Sequence, residues 1–157
     1  MKAASRWAFG ALVALGVGVA TTLAVSSPLA PGTTVTKPAP AGMAKAIFAG
    51  GCFWCVESDF DKVPGVLSTT SGYIGGKLAN PSYEQVAAKL TGHAEAVEIV
   101  YDPKRVRYEQ LLEYFWRTID PTTKDRQFCD AGSPYRTGIF VQDGHQLAPA
   151  HAPLATL

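Results

Sequence analysis

The segment that most restricts the fold of this chain lies between residues 107 and 120. In "RYEQLLEYFWRTID" the apolar side chains recur at positions i, i+3, i+4, i+7 and i+11, which places them on one face of an α-helix. Pro121 follows and cannot continue a helix. The segment therefore predicts a helix with one buried face, formed by Tyr108, Leu111, Leu112, Phe115 and Ile119.

Four other segments have the composition of β-strands. Some are short apolar or β-branched runs that end in glycine, and one alternates strictly. In that alternating segment, Glu95 shares a face with Val97 and Ile99. The four predicted strands are "KAIFAGG", "VLSTTSGYIGG", "AEAVEIVYD" and "TGIFVQ".

Further helices are expected between these strands. "CFWCVESDFDKV" carries Phe53, Val56 and Phe60 at helical spacing, and "PSYEQVAAKL" opens with Pro and Ser as a short helix would. The polar segment "TTKDRQFCDAGSPYR" is expected to be a loop. The order strand, helix, strand, strand, helix, strand indicates an α+β fold, a two-layer α/β sandwich of ferredoxin-like type.

The first 25 residues have the features of an export signal. Lys2 and Arg6 precede an uncharged run from Trp7 to Val25, and "AVSSPLA" offers small residues suited to cleavage. At about 1.5 Å per residue the run could also nearly cross a hydrocarbon layer of about 30 Å. Residues 1–25 are thus a cleaved signal peptide, which we favour, or a retained membrane anchor. Either predicts an exported protein, periplasmic or anchored to the outer face of the inner membrane.

The remainder divides into a linker, a domain and a tail. Residues 26–44 are rich in Pro, Thr, Ala and Gly without hydrophobic periodicity, which is typical of an extended linker. The folded domain is expected over residues 45–141 and a divergent tail over 142–157. Pro149 and Pro153 lead us to expect no helix in this tail. With 14 Lys and Arg against 13 Asp and Glu, the chain shows no electrostatic signature of nucleic-acid binding.

The chain has three cysteines, so at least one thiol must be free within a single chain. Cys52 follows a glycine pair at a predicted helix N-terminus, where the helix dipole favours a thiolate. Cys55 lies within disulfide reach of it. Cys52 and Cys55 could therefore be a redox-active pair, an inert disulfide or two packed thiols. Cys129 could be an incidental cysteine or a second resolving thiol. A zinc site is disfavoured, since no second pair of ligands has regular spacing.

Two other groups bear on chemistry. If alternation buries Glu95, its pKa rises and it becomes a proton donor near neutrality; alternatively, it reaches solvent at the first turn of the strand. His93 would suggest a Cys-His hydrolase, although a single histidine in a turn is more often structural. Phe53 and Trp54 are either core aromatics or the walls of a small apolar pocket.

Five blocks of sequence together resemble a known family. They are "GCFWCVE", "GYIGG" followed by "NPSYEQV", "TGHAEAVEIVYDP", "YEQLLEYFWRTIDPT" and "RQFCDAGSPYRTGIF", in this order from about Lys45 to Phe140. They resemble the A-type peptide methionine sulfoxide reductases, MsrA. The resemblance implies an MsrA-type core and the thiol-dependent reduction of the S epimer of methionine sulfoxide, free or in proteins, as a repair activity.

The resemblance also implies partners and catalytic roles. We expect no bound cofactor or metal, a monomer, and a thioredoxin-like external dithiol as reductant. Cys52 would be the nucleophile that becomes a sulfenic acid, and Glu95 would protonate the sulfoxide, with Asp130 as a third catalytic residue. Four residues would bind the substrate: Phe53 and Trp54 around its methyl group, and Tyr83 and Tyr135 at its oxygen.

Three features depart from the family pattern. Many members carry resolving cysteines in a C-terminal tail, whereas here none follows Cys129; resolution would pass to Cys55, favoured by proximity, or to Cys129. Pro134 replaces a polar residue and is expected to re-aim Tyr135 slightly. The resemblance ends sooner than the family does, which predicts a truncated or divergent C-terminus.

Two alternatives to the reductase assignment stay open at this stage. One is a thiol-disulfide oxidoreductase built on Cys52 and Cys55. The other is an inactive, truncated reductase that folds without catalysing turnover.

Overall fold

A computed structural model describes residues 37–151 of the chain. The signal peptide or anchor predicted for residues 1–25 lies outside the described residues. Between residues 37 and 151, no helix is long and apolar enough to cross a membrane. The elements are β1 (Ala44–Gly50), α1 (Phe53–Phe60), β2 (Val66–Ile74), α2 (Tyr83–Ala87), β3 (Ala94–Tyr101), α3 (Tyr108–Thr118), β4 (Arg126–Gln127), β5 (Asp130–Ala131), a 3₁₀ turn (Ser133–Tyr135), β6 (Thr137–Ile139) and α4 (Gly144–Ala150).

The main sheet has four antiparallel strands in the order β2-β3-β1-β6. Strands β1 and β2 are joined by α1 and leave a gap between them that β3 fills, which is the split βαβ arrangement of ferredoxin-like folds. The second unit repeats it, because β3 and β6 are joined through α3 and flank β1. The predicted α+β fold is confirmed.

Helices α1 and α3 cover one face of this sheet and form the main core with it. Phe48 of β1 is fully buried at the centre, stacked on Phe115 of α3 at 4.8 Å and 5.6 Å from the ring of Phe60 in α1. The predicted helical face from Tyr108 to Ile119 is buried in the same cluster. Burial of this apolar surface holds the two layers together.

The segment expected to be a loop contains a second, two-stranded sheet formed by β4 and β5. Its turn requires a left-handed backbone at Phe128, with φ of 50°, and its strands are too short to show alternation. The side chain of Gln127, 1% exposed, holds the hairpin in place. Its amide accepts from Asp120 N–H at 2.8 Å and donates to the Asp120 carbonyl at 2.6 Å and to Thr137 Oγ1 at 3.0 Å.

The expectation of no helix in the tail is wrong for its described part, because α4 forms with Pro149 inside it. Pro149 is the next-to-last residue of the helix, so its missing N–H costs only one hydrogen bond of the final turn. The Asp143 carboxylate caps the other end by accepting from the N–H groups of His145 at 2.9 Å and Gln146 at 3.2 Å. Gln146 also donates to the carbonyl of Lys45 at 2.5 Å, which ties α4 to β1.

Candidate active site

A glycine pair between β1 and α1 places Cys52. Gly51 has a φ of +96°, and a Cβ atom there would lie 2.5 Å from Cβ of Gln127. The Cys52 carbonyl accepts from the N–H groups of Cys55 at 3.1 Å and Val56 at 3.2 Å, so Cys52 is the N-cap of α1. Its side chain is half-buried. The predicted position of Cys52 at a helix N-terminus is confirmed.

Replacing Gly51 by alanine should destabilise the protein by about 2–4 kcal/mol, because the new methyl group needs a positive φ and overlaps Gln127. Gly72 is the matched control, since a Cβ there meets no heavy atom within 4 Å. We expect Gly72→Ala to change the free energy of unfolding by less than about 1 kcal/mol. Urea unfolding of both variants measures the difference, and equal effects would show that Gly51 is not under this constraint.

Glu95 lies on the core-facing side of β3 and is 3% exposed. Its Oε2 accepts the N–H of Phe53, the residue after Cys52, at 3.1 Å. Burial raises the pKa of Glu95 above its ordinary value, and the charge of Asp130 adds to this, while the Phe53 N–H opposes it. Of the two alternatives that alternation left open for Glu95, the structure shows burial.

The raised pKa of Glu95 predicts a loss of stability as pH rises. Between the ordinary value of 4.5 and the higher folded pKa, the folded state binds more protons than the unfolded state, so the free energy of unfolding falls through this window. Glu95→Gln cannot ionise and should lack this loss. The difference in free energy of unfolding between variant and wild type should therefore move in favour of the variant as pH rises from 4 to 8. Urea unfolding measures it, and a pH-independent difference would contradict the raised pKa.

The β5 strand and the following 3₁₀ turn bring two more predicted residues to the site. Asp130 is half-buried in β5, and its negative charge acts on both Glu95 and Cys55. Burial raises the pKa of the Tyr135 hydroxyl. Four neighbouring groups raise the Tyr135 pKa further, in the order Glu95, Tyr83, Asp130 and Cys52. Tyr135 therefore lies near these four groups, with Pro134 buried beside it in the turn.

Aromatic side chains continue from the buried Phe53 to the surface. The Phe53 ring centroid is 5.5 Å from that of Trp54, and the Trp54 ring lies nearly parallel to that of Tyr83, with centroids 6.5 Å apart and planes at 9°. Trp54 is 64% exposed and Tyr83 48%. Trp54 and Tyr83 thus form an exposed aromatic surface that meets the buried Phe53 next to Cys52, and it can contact an apolar group of a ligand.

All three cysteines carry free thiols. Cys52 and Cys55 lie one helical turn apart at the start of α1, and their thiols influence each other. Burial raises the pKa of the Cys55 thiol, and the hydrogen bond and charge of Cys52, followed by the charges of Asp130 and Asp59, add to it. Cys129 lies exposed at the turn of the β4-β5 hairpin, next to Asp130. The structure thus brings Cys55 into contact with Cys52.

A family model described as peptide methionine sulfoxide reductase matches residues 44–157. The chain belongs to this family. Peptide methionine sulfoxide reductase MsrA 1 of Rhodopirellula baltica is 53% identical over 111 residues, which cover 71% of this chain and 56% of that protein. MsrA of Streptococcus pyogenes is 51% identical over 115 residues, covering 73% of this chain and 68% of that protein.

Solved structures of reductases show the same fold. Methionine sulfoxide reductase A of Corynebacterium diphtheriae superposes with a TM-score of 0.68 at 32% identity, covering 78% of this chain and 58% of that one. Reduced Mxr1 of Saccharomyces cerevisiae gives a TM-score of 0.66 at 32% identity, covering 71% and 66%. The chain therefore spans a little more than half of the length of the Rhodopirellula and Corynebacterium reductases. The MsrA resemblance is confirmed at the level of family and fold.

Tyr73 is a site residue that the sequence did not single out. It pairs with Glu95 across the β2-β3 ladder, and its ring centroid is 5.6 Å from that of Phe53. Burial raises the pKa of Tyr73, and the charges of Glu95, Tyr83 and Glu84 add to it. Tyr73 belongs to the "GYIGG" block, but its place beside Glu95 depends on the register between β2 and β3.

His93 is 2% exposed and packs against the backbone of Gly76, where a Cβ atom would lie 2.0 Å from its Nδ1. Burial lowers the pKa of His93, and the charge of Arg136 adds to this. The ring is therefore neutral near pH 7 and fills space, which supports the structural interpretation over a Cys-His pair. Within residues 37–151, no group of three or more His, Cys, Asp or Glu is placed to hold a metal ion.

Proposed function

We propose that this protein reduces the S epimer of methionine sulfoxide, free and in polypeptides, to methionine, and thereby repairs oxidised proteins. The observation that carries the proposal is the Cys52 thiol at the start of α1, with the buried Glu95 carboxyl bonded to the next N–H at 3.1 Å. A nucleophile and a proton donor thus lie side by side. Membership of the reductase family supports the same chemistry.

The reaction needs both groups, because a sulfoxide is a poor electrophile until its oxygen is protonated. The Glu95 carboxyl gives a proton to that oxygen while the Cys52 sulfur attacks. The sulfoxide loses its oxygen and gains two electrons, methionine leaves, and Cys52 is oxidised to the sulfenic acid. The hydroxyls of Tyr83 and Tyr135 hold the oxygen. The negative charge of Asp130 helps to raise the pKa of Glu95.

The substrate's methyl group is assigned to Phe53 and Trp54. Their rings adjoin each other beside Cys52, and Phe53 is buried while Trp54 is exposed. A sulfur attacked by Cys52 with its oxygen on Glu95 would have its methyl group against these faces. Three fixed contacts around a chiral sulfur are sufficient to discriminate the S epimer from the R epimer.

Cys55 is proposed to resolve the sulfenic acid, because its thiol already contacts Cys52. Its attack on the sulfenic sulfur forms the disulfide and releases the oxygen as water. We expect Cys55→Ser to accumulate the sulfenic acid after one turnover, whereas Cys129→Ser should not. Trapping with dimedone followed by intact mass measures this. An adduct in Cys129→Ser, and none in Cys55→Ser, would assign resolution to Cys129.

An external dithiol of the thioredoxin type is proposed to reduce the disulfide and restart the cycle. Mxr1 of Saccharomyces cerevisiae has been observed in complex with Trx2. We further propose a monomer, and export through residues 1–25 as a signal peptide or membrane anchor, so that the domain acts in the periplasm or on the outer face of the inner membrane.

The test of this function is the dithiothreitol-driven consumption of racemic sulfoxide in a model peptide, followed by chiral chromatography. The S epimer should disappear and the R epimer should persist. Consumption of neither epimer by a protein that unfolds cooperatively would support the inactive reductase. Reduction of insulin disulfides without sulfoxide turnover would support the thiol-disulfide oxidoreductase.

A further inference from the structure

A cavity of about 740 Å³ opens along helix α2. It lies between the loop that follows β2, helix α2, and the turn that precedes β3. Its volume falls within the range of about 300–1000 Å³ that is typical of ligand sites. The lining residues come from these three segments and are Lys77, Leu78, Glu84, Gln85, Ala88, Leu90, Thr91 and Gly92.

The lining of this cavity is mainly apolar and unusually exposed. Leu90 is 88% exposed and Leu78 is 42% exposed, and both face a space that Ala88 also borders. Lys77 and Glu84 provide opposite charges in the same lining. Large apolar side chains that stay uncovered around a concave surface are typical of a site that binds another molecule.

Helix α2 lines the cavity and also carries one of the residues assigned to the active site. Glu84 and Gln85 directly follow Tyr83 in α2, and the Tyr83 ring stacks on Trp54. A single helix therefore presents Glu84 and Gln85 to the cavity and the Tyr83 ring to Trp54.

A second connection runs through the turn that carries Tyr135. The Lys89 side chain, at the end of α2, packs so closely on Gly132 that a Cβ there would lie 2.6 Å from its Cε. Arg136 donates to the carbonyl of Gly92 at 3.1 Å and to that of Ser133 at 2.7 Å. The contact of Arg136 with Gly92 thus places the residue after the 3₁₀ turn against the cavity lining.

We propose that this cavity binds the residues that flank the oxidised methionine in an extended polypeptide, with preference for an apolar side chain. The proposal rests on the proposed function and specifies its substrate class. Free methionine sulfoxide has no flanking residues that could enter a neighbouring cavity, whereas a polypeptide extends by about 3.3–3.6 Å per residue on both sides of the sulfoxide. Leu78 and Leu90 contact the apolar side chain, and the protein favours oxidised methionines in unfolded or extended segments.

The test compares Leu90→Ser with Leu67→Ser, a control leucine on β2 that is 53% exposed and outside the cavity lining. The substrates are N-acetyl methionine S-sulfoxide amide and a seven-residue peptide with leucines on both sides of the S-sulfoxide. Leu90→Ser should lower the ratio of kcat/KM for the peptide to that for the amide by about tenfold. Leu67→Ser should leave this ratio unchanged. An unchanged ratio in Leu90→Ser would overturn the proposal.

A binding measurement separates this proposal from the proposed function. In the Cys52→Ser background, calorimetry with the same peptide should show about tenfold weaker binding when Leu90→Ser is added. If wild type fails to turn over either substrate, the proposed function is contradicted, and the calorimetry still decides whether the cavity binds the peptide. A dimer in sedimentation that Leu90→Ser dissociates would overturn the proposal in favour of a second copy of the chain as occupant.

Discussion

Cys52→Ser should lower the rate of dithiothreitol-driven sulfoxide reduction by at least about 1000-fold. A serine hydroxyl is a far weaker nucleophile than a thiol, and it cannot take up the oxygen as a sulfenic acid. Serine is also a favourable N-cap, so the variant should retain the fold of α1. Consumption of the S-sulfoxide peptide, measured by chromatography, gives the rate.

Cys129→Ser is the matched control for this change, since it removes a thiol from the exposed hairpin turn. We expect it to keep most of the activity. Activity that survives in Cys52→Ser, or that disappears equally in both variants, would contradict the assignment of Cys52 as the nucleophile.

Glu95→Gln should lower kcat by at least about 100-fold, because proton transfer by a positioned acid contributes about 10²–10⁴-fold to a rate. The amide keeps the size of the side chain but has no carboxyl proton to give to the sulfoxide oxygen. Wild-type kcat should fall as pH rises through the raised pKa of Glu95, and the residual activity of the variant should lack this step. Steady-state rates between pH 5 and 9 measure both effects.

Glu98→Gln is the control on the same strand. Glu98 lies on the opposite face of β3, where it pairs with Lys45 at 2.9 Å, away from Cys52. Its replacement should change kcat by only a few fold. Comparable losses in both variants would show that Glu95 acts through the fold and not as the acid.

The features that the sequence could predict depend on local periodicity. The apolar face of α3 follows from a repeat of 3.6 residues, and the face that Glu95 shares with Val97 and Ile99 follows from a repeat of 2. The repeat alone left burial or solvent exposure of Glu95 open. Neither repeat needs knowledge of distant segments. The same holds for Cys52, since a strand, a glycine pair and a helix follow one another in the chain.

Most of the features that were missed depend on contacts between distant segments. One, helix α4, was missed because proline was taken to exclude a helix altogether. The β4-β5 hairpin is held by the buried amide of Gln127, and hairpins of two-residue strands leave no pattern. Tyr73 joins the site only through the register of β2 with β3. Pro149 was expected to exclude a helix, yet it is accommodated at the end of α4.

The role of the "CFWC" quartet could not be chosen from its spacing, because the same spacing suits a disulfide, a metal site and a catalyst. The buried Glu95 carboxyl at the same helix N-terminus supports the proposed catalytic role, since an inert disulfide has no need of it. The proximity of the two thiols at the start of α1 then favours Cys55 as the resolving residue.

The measurement that tests this account most directly is a thiol count after one turnover without reductant. The fully reduced protein has three thiols. Addition of excess S-sulfoxide peptide should yield one methionine per protein molecule and leave one free thiol, because the Cys52 sulfenic acid condenses with a second cysteine. Methionine formed with all three thiols intact, or thiols lost without methionine, would contradict it.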